Sequence, residues 1–199
     1  GESNYVEMLD KLPLLNSGRQ HLIDIFSQTN SFNSRFHACS MVRREALEEC
    51  GFFYKNKYGF YSDVDLWIRL LEKNDFLYLK QPLMKFTRRE KDHELNDKNV
   101  QVTNILFQIH LDNLNKLKER IFSTKEVDKF LKLLKRKYFY VIYSIFIMEL
   151  SKGNRLILKQ FDQVDRENLN SDIFNFLLGI LKVKLVGNIL FLIRLLLKK

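Results

Sequence analysis

The chain has 199 residues, enough for one or two compact domains with a sizeable core. It is 46% hydrophobic and 13% aromatic with only 7 Gly and 2 Pro, which excludes a largely disordered chain. The net charge of +9 points to anionic neighbours, while two cysteines, Cys39 and Cys50, are too few for a disulfide framework or a metal cluster and read as small buried thiols in a reducing compartment.

Taken in chain order, Gly1 in place of an initiator Met suggests a fragment or processed chain, and residues 1–10 carry no secretory signal pattern. Leu22, Ile23 and Phe26 predict a helix over Gln20–Phe26. Ser40–Val42 reads as a short strand, and Arg44–Cys50 as a short helix stopped by Gly51, which suits the left-handed position after a helix. Phe52–Phe60 is an aromatic loop with turn signals at Asn56 and Gly59. Asp63–Lys73 is a well-marked helix, because Val64, Trp67, Ile68 and Leu71 fall at i, i+3, i+4 and i+7. Phe76–Leu79 and Leu83–Phe86, on either side of Pro82, read as extended.

From about residue 97 the character changes. Strand signals disappear, and long apolar periodicities cover Val100–Phe122, Lys125–Leu150, Asn154–Phe161 and Ser171–Lys199, with Ser123, Thr124 and Gly153 as punctuation. The expected organisation is therefore an α/β portion over 1–96 followed by an all-α region over 97–199.

Ser40-Met41-Val42-Arg43-Arg44 leads through Glu45–Cys50 to Gly51, then to Tyr58-Gly59-Phe60-Tyr61-Ser62-Asp63-Val64-Asp65-Leu66-Trp67-Ile68-Arg69. This succession, over roughly residues 20–90, resembles the acceptor half of family 2 inverting glycosyltransferases. The resemblance implies the C-terminal part of a GT-A nucleotide-diphospho-sugar transferase fold. It also implies transfer of a sugar from a nucleotide-sugar donor to a glycan or lipid-linked acceptor. By the same resemblance Asp63 is the general base for the acceptor hydroxyl. Trp67, Arg43, Arg44 and His37 are acceptor-side candidates, and Arg88, Arg89 and His93 would lie near the diphosphate or the metal. A divalent cation, Mg2+ or Mn2+, would be held mainly by a nucleotide-binding half upstream, so the fragment alone is expected to be inactive. Ser62 departs from the family pattern, which has Glu there.

The residues also carry plainer readings. Asp63 reads as a helix N-cap and Asp65 as a first-turn acid. Asp63-Val64-Asp65 is formally a D-x-D, but helical residues two apart point about 200° away from each other, so no metal is assigned to the pair. Asp65 and Arg69, at i and i+4, form a surface pair or one that orients the site. Trp67 belongs with the core stripe or on a sugar ring, Arg43 and Arg44 read equally as a solvated pair at a strand end, and His37 as a satisfied loop histidine. Tyr138–Met148 is apolar almost all round, as in a buried helix too short to span a membrane.

Ile173–Lys199 is leucine-rich with five Lys or Arg and no acid, which suits a helix lying on a membrane surface or packed on protein. Lys182, Lys184 and Arg194 argue against a span. Nucleic acid is not expected, because rings are not interleaved with the charges. The expected location is cytoplasmic, peripheral at the inner face of the membrane. A non-catalytic helical docking module is the alternative reading.

Overall fold

The computed structural model describes residues 13–27, 40–52, 57–79, 100–152 and Gly179. In order they form β1 (Leu15–Asn16), α1 (Gly18–Ser27), α2 (Arg44–Glu49), a 3-10 turn (Gly59–Tyr61), α3 (Ser62–Lys73), β2 (Phe76–Leu77), α4 (Val100–Leu117) and α5 (Thr124–Ser151). β1 and β2 pair antiparallel, Leu15 opposite Leu77 and Asn16 opposite Phe76.

The expected α/β architecture is overturned. Among the described residues the only sheet is this two-residue pairing, and the core is helix on helix. Ser40–Val42 forms no strand, and Val42 packs instead against a small cluster built from Cys50, Leu66 and Leu70. The physical reason lies in α3, whose two apolar sides are both taken up by helices or turns. Val64, Ile68 and Leu71 enter the main core, while Leu66 and Leu70 face α2. No face of α3 is left to lie on a sheet. The segment Leu83–Phe86 lies outside the described residues.

Helix positions follow local signals closely. α1 begins at Gly18, where its backbone meets the end of α3 so tightly that a Cβ would stand 2.1 Å from the Asn74 carbonyl oxygen and 2.4 Å from that of Leu71. The Gly18 N–H donates to Asp75 Oδ1 at 2.9 Å, satisfying one of the free donors at the helix start. α2 ends where Gly51 takes φ 74° and Phe52 φ 57°, so the expected stop is present and extends over two residues.

α4 ends at Leu117, earlier than the apolar pattern suggests, because residues 118–122 turn the chain through Glu119 at φ 65° and bury Phe122. α5 then starts with a capping box: Ser123 accepts from the Glu126 N–H, and the Glu126 carboxylate accepts from the Ser123 N–H at 2.9 Å. Arg19 on α1 reaches the same carboxylate at 3.0 Å, tying α1 to the start of α5.

The main core joins Leu22, Ile25 and Phe26 of α1 to Val64, Ile68 and Leu71 of α3 and to the inner faces of α4 and α5. It runs continuously across the expected boundary near residue 97. Phe107 stacks on Tyr138 at 4.4 Å between centroids, and Phe122 meets both Phe26 and Phe130 edge-on, with Phe26 and Phe130 tilted by 30° to each other, where α1, α4 and α5 meet. The Tyr138–Met148 stretch is buried on one side only, since Tyr140 and Ser144 are exposed.

Candidate functional site

The site is built around the first two turns of α3. Tyr61 is the N-cap and makes no side-chain capping bond. Asp63 is therefore not the cap read from the sequence. It stands inside the first turn, half-buried, and its Oδ1 accepts from the Val64 N–H at 2.8 Å. A carboxylate at this place interacts favourably with the helix dipole, and the Val64 N–H fixes its orientation.

Asp65 has a different fate. It is fully buried, and Arg69 Nε donates to its Oδ2 at 2.8 Å while Asn113 Nδ2 of α4 donates to its Oδ1 at 2.9 Å. The surface alternative for Asp65 and Arg69 is thus replaced by a buried, fully engaged pair. Arg69 also donates through Nη1 to the Cys50 carbonyl and through Nη2 to that of Phe52, the latter at 2.6 Å. The Cys50 thiol, in turn, donates to the Arg69 carbonyl at 3.4 Å. Burial pushes that thiol above its usual pKa, ahead of the opposing pull of Lys73 and Arg69. One guanidinium therefore holds the left-handed turn after α2 against the middle of α3.

The carboxylates of Asp63 and Asp65 serve separate networks and do not converge. Among the described residues no group of three or more His, Cys, Asp or Glu could hold a metal ion. These residues do not fit a divalent cation.

Trp67 leaves the Val64/Ile68/Leu71 stripe. It is half-buried and packs on the smaller cluster with Val42, Ala46 and Leu47. Its i+3 position puts it at the edge of that stripe, on the side that turns towards α2. Arg43 and Arg44 are exposed, and Arg44 Nε pairs with Glu48 at 2.7 Å along α2. His37, Arg88, Arg89, His93 and Cys39 lie outside the described residues, as does the tail 173–199 apart from Gly179.

Two polar groupings were missed by the sequence reading. Ahead of α3, Tyr58 Oη donates to Asp112 Oδ2 at 2.7 Å and Lys57 Nζ reaches the same oxygen at 2.8 Å. Burial, with Asp112 second, pushes the Tyr58 hydroxyl up to about 12. Burial also raises the Asp112 carboxyl, but Lys57, Tyr58 and Gln108 outweigh it and leave it below the usual range. Deeper, His110 of α4 and Lys137 of α5 are both buried. Burial first, then the Lys137 charge, lowers the His110 pKa to about 3, against the pull of the Leu106 carbonyl 2.7 Å from Nδ1. Burial lowers Lys137 to about 8.

A signal for these residues was present. His110 and Asn113 share one helical stripe with Leu106 and Leu117, and Lys137 shares another with Phe130 and Leu134. Polar residues at core positions of an apolar periodicity mark internal networks.

Comparison with known proteins returned no matching family model, curated protein or solved structure. Among the described residues no helix is long and apolar enough to cross a membrane.

Proposed function

We propose that this chain carries the acceptor side of an inverting sugar transfer from a nucleotide-sugar donor to a glycan or lipid-linked acceptor. Asp63 takes the proton of the acceptor hydroxyl as that oxygen attacks the anomeric carbon, and the nucleotide diphosphate leaves from the opposite face. The observation that carries this reading is the contrast between two acids on one helix. Asp65 is sealed into the interior, whereas Asp63 is partly open at the helix start, on a mount held by Arg69 and Asn113. A general base needs that combination of access and fixed position.

The reading rests on the succession of residues from Ser40 to Arg69 and not on an α/β fold. The donor and its Mg2+ or Mn2+ ion would be held by residues other than those described, and no step assigned to Asp63 runs through the cation. Of the two arginines on the acceptor side, Arg43 is exposed and Arg44 is engaged with Glu48.

The experiment is transfer of radiolabelled sugar by the intact protein from a panel of nucleotide-sugar donors. Asp63→Asn lowers kcat by about 10²–10⁴-fold, the range of general-base catalysis, with donor KM little changed. Transfer at a near-unaltered rate would sink the base assignment. A second reading, a non-catalytic helical docking module, is favoured by the dominance of α4 and α5 in the core. Absence of turnover with every donor would leave that reading in place.

A further inference from the structure

We propose that the solvent face of α5 is a docking surface for an anionic lipid bilayer. Lys125, Lys129, Lys132 and Arg136 succeed one another at steps of four, three and four residues, which places them on one side of the helix. All four are exposed. None has a carboxylate partner among the described residues, whereas Arg19, Lys57, Arg69 and Arg120 each end on an acid. The stripe is about 17 Å long at the helical rise. Exposed Asp128 on its flank offsets one charge, and Glu126 is already taken by Ser123 and Arg19.

Further along the same side the charges give way to rings. Tyr140 is exposed and carries the Arg136 guanidinium over its face at 5.5 Å, and half-buried Phe139 and Tyr143 stack at 5.9 Å. A face graded from Lys/Arg to Tyr/Phe matches the headgroup zone of a bilayer. There phosphates meet the cations, and amphipathic rings rest at the boundary with the acyl chains. Nucleic acid fits less well, because stacking on bases needs rings alternating with the charges rather than gathered beyond them. The inference does not depend on sugar transfer.

The test is co-sedimentation of the full chain with vesicles of phosphatidylcholine alone and with about 30% phosphatidylserine added. Binding is expected on the anionic vesicles only, and is expected to fall away at about 0.5 M salt, where screening shortens to a few ångströms. Each Lys or Arg near such a surface raises partitioning about fivefold. The variant K125Q/K129Q/K132Q/R136Q therefore binds about a hundredfold or more weaker. Its melting temperature should stay that of the unaltered chain, since all four side chains are exposed. The variant K182Q/K184Q/R194Q/K198Q removes the same charge from the C-terminal sequence and should bind within about threefold of the unaltered chain. Four results overturn the proposal: equal binding to neutral vesicles, binding unaffected by salt, loss only in the C-terminal variant, or tighter binding to a mixed-sequence oligonucleotide than to vesicles.

Discussion

Asn113 and Asp65 meet across 48 residues of sequence, with the Asn113 amide donating to the buried Asp65 carboxylate at 2.9 Å. The same amide donates to the Ile109 carbonyl one turn back at 2.8 Å, so its orientation is held from two sides. This contact makes α4 part of the mount on which Asp63 sits.

Asn113→Leu leaves Asp65 Oδ1 without its donor in the interior and should cost about 1–3 kcal/mol. Arg69→Met leaves the carboxylate without its cation and should cost more, about 3–5 kcal/mol. It also releases the Cys50 and Phe52 carbonyls. Urea unfolding gives the two costs, and a double-mutant cycle gives the coupling between them. Additive costs would mean that the two donors do not share Asp65 as an energetic unit.

His110 supplies an acid-sensitive term. Its folded pKa of about 3 lies below the unfolded value near 6.5, so the stability it allows is whole above pH 6.5 and is lost as pH falls towards 3. The expected slope is about 1.4 kcal/mol per pH unit within that window. Urea midpoints measured from pH 7.5 down to 5 should flatten in His110→Leu relative to the unaltered chain.

Lys137 acts at the other end of the scale. Below pH 8 both folded and unfolded chains carry its charge, and above 10.5 neither does, so stability rises with pH between those values. Lys137→Met keeps the length of the side chain and removes the buried charge. At pH 7 it should stabilise the fold by about 1–3 kcal/mol, seen as a higher melting temperature. A lower melting temperature would show that the ammonium makes contacts worth more than its desolvation.

Gly18 and Gly51 should respond differently to alanine. At Gly18 the new methyl would run into the backbone of Leu71 and Asn74, so the cost is about 2–4 kcal/mol despite the better helix propensity of Ala. At Gly51 nothing stands within 4 Å, and only the φ of 74° opposes a side chain. That cost is about 1 kcal/mol. Thermal melts of the two variants order them directly.

The helix spans were readable because helical periodicity is a property of a segment alone. Leu22 and Phe26, Val64 and Ile68, and the stripes of α4 and α5 repeat at the helical interval before any partner is known, and Gly51 and Ser123 mark ends through their own backbone and capping chemistry. Which element each face meets is a long-range matter. Val42 and Phe76 have strand-like neighbours in sequence, yet Val42 packs on α2 and α3, while Phe76 joins a two-residue pairing with β1 and packs on the main core, edge-on to His21. The interior position of Asp65, the shift of Trp67 to the smaller cluster and the burial of His110 and Lys137 were likewise decided by packing. Each depends on residues about 15 to 50 positions away whose approach no local period encodes.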